Sequence, residues 1–206
     1  MTTGRCGGSG YTVYFDKGLG ATVVRIQPGG MAVVDESLTL STVLGSCVSV
    51  CIYDPLRSIG GMNHFMLPGE GRPSIHEGGI SSMMYGANAM EQLVNGLLKF
   101  GAIRERLIAK VFGGGMVVDE IKYVKIGERN VEFVNDYLMA ERIPVKAADV
   151  LGTSPRKILF SPSNGRVYLK KIAKNIVRTK VADLEAGYGE RVNKSGKVFS
   201  NVEWFD

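Results

Sequence analysis

Cys47 and His64 are the residues from which a reaction could be built. The segment Ser41-Thr42-Val43-Leu44-Gly45-Ser46-Cys47 reads as a strand that meets a Gly-Ser turn and delivers a thiol where the next strand begins. A turn containing glycine releases backbone N–H groups from the ladder. Such groups favour a thiolate and can hold an oxyanion about 3 Å away, which makes Gly45 and Ser46 candidates for an oxyanion-binding backbone. His64, one of two histidines, lies in the apolar stretch 62–67, one hairpin from Cys47. Paired strands are about 4.8 Å apart, so a cysteine and a histidine on one face come within reach of each other, as nucleophile and general base. Each residue alone has a plainer explanation. A single cysteine serves well as a small core hydrophobe, and a core histidine can simply bond a backbone carbonyl. His76, in a loop rich in Gly and Pro, reads as a surface residue.

Other chemistries fit less well. Cys47, Cys51, His64 and His76 have the spacing C-x3-C-x12-H-x11-H, superficially that of a zinc finger. Residues 47 and 51 of one strand, however, are separated by about 13 Å, while two thiolates on one zinc need sulfurs about 4 Å apart. The same distance precludes a disulfide between them, and no metal or cofactor is expected. Gly113-Gly114-Gly115 lacks both phosphate-loop and dinucleotide-binding spacing and reads as a tight packing turn beside the site.

The elements that must position these residues follow from periodicity. Strands are expected at 21–26 and 31–34, joined by a Pro28-Gly29-Gly30 turn, and at 38–43. A buried hairpin of 47–53 and 61–67 follows. Met83, Ala87, Met90, Val94 and Leu97, three and four apart, predict a helix over 82–100; Val131, Val134 and Leu138 predict a second over 128–141. Strands at 106–112, 145–150, 158–161 and 166–169 complete a single α/β domain over 21–171. It is flanked by a flexible N-terminal segment, 1–20, and a C-terminal extension, 172–206.

Composition bounds the class. The 206 residues, 45% hydrophobic and 22% charged, suit one globular domain, and no run reaches the roughly 18 apolar residues of a membrane span. Three cysteines do not make a disulfide framework, and the N-terminus has no signal-peptide core, so a cytoplasmic protein without membrane insertion is expected. The net charge is +5, and residues 156–180 hold eight Lys or Arg and no acid, a stretch that can face an acidic partner. Its two aromatics, Phe160 and Tyr168, read as hairpin core, so no nucleic-acid partner is expected.

The strings STVLGSCVSVCIYD, GGMNHFMLPG, KVFGGGMVV, IGERNVEFVNDYL and TSPRKILFSPSNGRVYLKK together resemble the CheD family of chemoreceptor glutamine deamidases, over about residues 27–171. The resemblance implies a three-layered α/β sandwich with mixed, largely antiparallel sheets. It also implies a protein-glutamine glutaminase that converts glutamine side chains of methyl-accepting chemotaxis receptors to glutamate. The family's catalytic cysteine and histidine fall on Cys47 and His64. Its threonine falls on Ser41 in a gapless register, with Thr42, on the opposite strand face, as the alternate. A methylesterase side activity and, in some relatives, a phosphatase partner of the CheC type are further implications. A non-catalytic regulator of receptors or of a phosphatase is the competing class.

Overall fold

The computed structural model describes residues 4–67, 82–116, 121–172 and 187. The longest strand, β2 (Ala21–Val34), organises the fold. Its first half buries Val23, Val24 and Ile26, and its second half is buried from Met31 to Val34, as expected of β-branched and apolar residues covered on both faces. β1 (Cys6–Asp16) runs antiparallel along both halves. The segment 1–20, expected to be flexible apart from an aromatic and β-branched stretch at 11–15, therefore contributes 11 residues to the sheet.

With one edge of β2 occupied by β1, its other edge is shared end to end. β3 (Thr39–Leu44) pairs parallel with Val23–Arg25, and β5 (Ile59–Asn63) pairs antiparallel with Met31–Val34. The sheet therefore diverges into two wings. One runs β5, β4 (Val48–Asp54), β6 (Ile108–Gly113) and β7 (Val145–Val150); the other runs β3, β8 (Arg156–Ser161) and β9 (Arg166–Lys171). Among the described residues, six of the eight strand pairings are antiparallel and two are parallel. The predicted turn at Pro28-Gly29-Gly30 is not a chain reversal. The chain continues as one strand, bent where β1 skips register and where Gly29 takes a φ of 86° that a side chain would resist.

Two helices cover one face. α1 (Ser82–Lys99) lays down Met90, Leu93, Val94 and Leu97, and α2 (Ile121–Ala140) lays down Val131, Val134 and Leu138, against Val33, Val50, Ile52 and their neighbours. The opposite face holds a second core, in which Val24, Ile26, Leu40, Leu44, Cys51, Met62, Ile158 and Phe160 bring the two wings together. Alternation along each strand sorts the two: Val50 and Ile52 go to the helices, Cys51 to the other side. The expected α/β class with two main helices holds. The layering differs, because the strands form one continuous mixed sheet curled into a half-barrel instead of separate stacked sheets. The second helix begins at Ile121, earlier than its apolar spacing indicated.

Candidate functional site

The bend in β2 is where the sequence's candidate residues converge. His64 follows the last residue of β5 and is tied into the bend by both backbone groups: its N–H donates to the Gly30 carbonyl at 3.0 Å, and its carbonyl accepts from the Gly29 N–H at 2.7 Å. Cys47 is the last residue of the bend 45–47, immediately before β4. Val48 and Phe65 exchange both backbone hydrogen bonds, at 2.9 and 3.0 Å. Cys47 and His64 each precede a member of that antiparallel pair, so they share a face as diagonal neighbours, roughly 7–8 Å apart at Cα. That is a separation which a thiol and an imidazole span between them. Cys47 is 0% exposed and His64 2%, so the pair is closed to water in this conformation.

The hydroxyl that meets His64 is that of Thr42. Its Oγ1 lies 2.7 Å from His64 Nδ1 and 2.9 Å from the Ile26 carbonyl oxygen. A carbonyl can only accept, so the single hydroxyl proton of Thr42 goes to Ile26, and the hydroxyl accepts from Nδ1–H. This fixes the ring's tautomer. In the neutral imidazole the lone pair is on Nε2, the nitrogen remote from Thr42. Ser41, the gapless choice, is on the other face of β3; its hydroxyl is buried and makes no hydrogen bond among the described residues. The hydroxyl that reaches the histidine therefore belongs to the alternate, Thr42, because strand alternation allows only one of two adjacent residues to face β5.

The turn bearing Cys47 is held from behind. Its three successive carbonyls each accept one hydrogen bond: Gly45 from Gly115 N–H at 2.7 Å, Ser46 from Asn130 Nδ2 at 2.9 Å, and Cys47 from Gly114 N–H at 2.7 Å. Gly113-Gly114-Gly115 is thus the packing turn that the sequence suggested. At Gly113, with φ of 107°, a Cβ would come within 2.2 Å of the Cys47 carbonyl oxygen, so only glycine permits the approach. A further layer backs that loop, where Leu151 N–H bonds the Gly113 carbonyl at 2.8 Å and Met116 N–H bonds the Gly152 carbonyl at 2.7 Å. Arg156 secures this layer through the Asp149 carboxylate and the carbonyls of Asp149 and Leu151. It is 1% exposed, so the first residue of the basic stretch is structural and does not face a partner.

Asn130 escaped the sequence reading. It is fully buried on α2, donates to the Ser46 carbonyl and accepts from the Leu67 N–H at 2.8 Å, clamping the cysteine turn to the segment that follows His64. The available signal was a polar residue four positions before Val134, on the apolar face of the helix. Gly127, one turn earlier, lets the helix come close; a Cβ there would meet the Gly114 carbonyl oxygen at 2.4 Å.

The other thiols are unlike a nucleophile. Burial pushes Cys51 well above the ordinary thiol range, only partly offset by Lys110. Burial also raises Cys6, opposed by a hydrogen bond with Tyr11 and reinforced by the Asp35 charge. Among the described residues no three Cys, His, Asp or Glu side chains cluster as metal ligands, and no helix is long and apolar enough to cross a membrane. His76 lies outside the described residues, as do most of 172–206.

A curled α/β half-barrel presenting a buried cysteine, histidine and threonine at the bend of its longest strand is the class that fold and site define. The chain belongs to the CheD family. The family model described as CheD chemotactic sensory transduction matches residues 66–171. A protein of Burkholderia thailandensis named probable chemoreceptor glutamine deamidase CheD 2 is 45% identical over 95% of this chain and 100% of its own length. One of Shewanella oneidensis, named probable chemoreceptor glutamine deamidase CheD 1, is 47% identical over 87% of this chain and 86% of its own. Among solved structures, the hypothetical protein YfiH of Bacillus licheniformis matches 56% of this chain and 48% of its own, at 16% identity and a TM-score of 0.36.

Proposed function

We propose that the chain hydrolyses glutamine side chains of chemoreceptors to glutamate, in the cytoplasm, with Cys47 as nucleophile, His64 as acid and base, and Thr42 orienting the ring. The observation that carries this reading is the Thr42–His64 hydrogen bond, which leaves Nε2 as the basic nitrogen of a ring diagonal to Cys47. The relatives' names supply the substrate class.

In the first half-reaction the Cys47 proton passes to Nε2, and the sulfur bonds to the side-chain amide carbon. Backbone N–H groups of the turn at Gly45, Ser46 and Cys47 receive the oxyanion; donors of this kind are worth about 10²–10³ in kcat. The C–N bond breaks as His64 returns its proton to the departing ammonia, leaving a thioester. In the second half-reaction His64 takes a proton from water, whose oxygen attacks the thioester carbon. Glutamate forms, and the thiol regains its proton. Because Cys47 is fully covered, a glutamine side chain reaches it only once that cover opens. The same steps acting on a glutamyl methyl ester would release methanol, a methylesterase side activity.

Lys157, Arg166, Lys170 and Lys171 of the β8–β9 hairpin supply positive charge that can draw acidic receptor helices, an attraction that fades with salt. A CheC-type phosphatase is the protein partner that this reading admits.

The test is ammonia release from a purified receptor cytoplasmic fragment by wild type and Cys47→Ala. Release by the wild type alone supports the reading. Equal release by both would exclude Cys47 as nucleophile, and none from either would favour a non-catalytic regulator.

A further inference from the structure

Asn130 takes no part in these proton transfers, yet it bonds the peptide unit that must do oxyanion work. In a planar trans peptide the C=O and N–H point in opposite directions. With the Ser46 carbonyl fixed on Asn130 Nδ2 at 2.9 Å, the N–H of Cys47 is directed away from α2. The orientation of the Asn130 amide is itself determined. The Leu67 N–H can only donate, at 2.8 Å, so Oδ1 must face Leu67 and the NH2 group must face Ser46. The Gly45 carbonyl, held by Gly115 N–H at 2.7 Å, fixes the neighbouring Ser46 N–H in the same manner. Of these two clamps, only the one at Ser46 comes from a side chain, and it is the one that also reaches across to the segment carrying His64.

We infer that Asn130 is a positioning residue: it holds the Ser46–Cys47 peptide in the orientation that presents the Cys47 N–H to the oxyanion of the tetrahedral intermediate. This rests on the deamidase reading above. Without the clamp the peptide unit can rotate, turning a carbonyl oxygen toward the developing negative charge and removing one donor. The thiol and the imidazole stay where β4, the β2 bend and Thr42 hold them, so attack on a substrate that develops no oxyanion is unaffected.

Two variants test this. Asn130→Leu removes donor and acceptor at similar volume; Asn130→Asp keeps an acceptor for Leu67 but, when ionised, offers Ser46 no donor. Three quantities are measured on the full chain: kcat and KM for ammonia release from a receptor fragment, and the rate of iodoacetamide alkylation at Cys47, read by mass spectrometry. Alkylation forms no oxyanion. The expected result is a loss of about 10- to 100-fold in kcat for both variants, with KM within about twofold and Cys47 alkylation within about threefold of wild type. Wild-type kcat in either variant overturns the inference while leaving the deamidase reading intact. A parallel change in alkylation overturns it too, by showing that Asn130 shapes the surroundings of the sulfur. If neither variant folds, Asn130 serves the fold and not the oxyanion. Absence of ammonia release by the wild type is the distinct failure of the underlying reading.

Discussion

Thr42→Val against Ser41→Ala separates the two hydroxyls of adjacent residues. Valine matches threonine in shape but cannot bond, so the substitution removes the acceptor of the buried His64 Nδ1–H and a donor to the Ile26 carbonyl. A buried polar group stripped of its partner costs about 1–3 kcal/mol. Relaxation around the valine reduces the sum, and a net destabilisation of about 2 kcal/mol, or about 4–8 °C in Tm for a chain of this size, is expected. The catalytic effect is separate. Without an acceptor at Nδ1 the ring is free to rotate and to exchange tautomers, and loss of an orienting partner typically costs 10- to 100-fold, so kcat for ammonia release should fall by about that factor. Ser41→Ala removes a buried hydroxyl that bonds nothing among the described residues. It should leave kcat within about twofold of wild type and Tm unchanged or slightly raised, since an unpaired polar group is lost. The assay is saturating ammonia release from a receptor fragment, with thermal melts of the same preparations. A larger loss of kcat in Ser41→Ala than in Thr42→Val would refute the assignment of the orienting hydroxyl to Thr42.

At Gly113, alanine would force a Cβ to 2.2 Å from the Cys47 carbonyl oxygen at a φ of 107°; Gly113→Ala should cost about 2 kcal/mol or more and most of the activity, measured by urea unfolding and turnover. A variant as stable and active as wild type would show that the glycine loop does not brace Cys47. Cys51, raised by burial, stays protonated in the fold through the range where an unfolded thiol ionises, near its ordinary value of 9.0. The stability this contributes is fully present below that pH and declines above it, so unfolding free energy should fall from about pH 9 upward, and Cys51→Ala should flatten the decline. An unaltered profile in the variant would assign the decline to other groups. Arg156→Met leaves the Asp149 carboxylate with Lys171 as its cationic partner, strips the carbonyls of Asp149, Leu151 and Ser154 of the guanidinium donor, and should lower stability by about 2 kcal/mol, with activity reduced through the stacked loops behind Cys47. If salt up to 0.5 M leaves kcat/KM for receptor fragments unchanged, the basic hairpin has no steering role.

The sequence by itself determined the chemistry on offer. A Gly-Ser turn before Cys47 and an apolar strand around His64 are local statements, and the hairpin joining them follows from chain proximity. Helical faces at Met90, Val94 and Leu97 and at Val131, Val134 and Leu138 were legible for the same reason: burial of one stripe imposes a period that a short window contains. What the tertiary structure alone decided concerns contacts between residues distant in the chain. β1 extends over the Gly-rich residues 6–10 because β2 offered a free edge, whereas only its aromatic and β-branched part at 11–15 is announced by residue type. Pro28-Gly29-Gly30 became a bend inside one strand because β1 continues along both halves, and the same bend takes His64. The choice of Thr42 over Ser41 depended on which face of β3 looks toward β5, a one-residue matter of register that local sequence cannot fix. Asn130 is separated from Ser46 by 84 positions, and only the approach of α2 permitted by Gly127 brings its amide to the turn. Residue types specify which groups can react; the packing of distant segments specifies which of them meet, because a hydrogen bond requires its partners within about 3 Å whatever their separation in sequence.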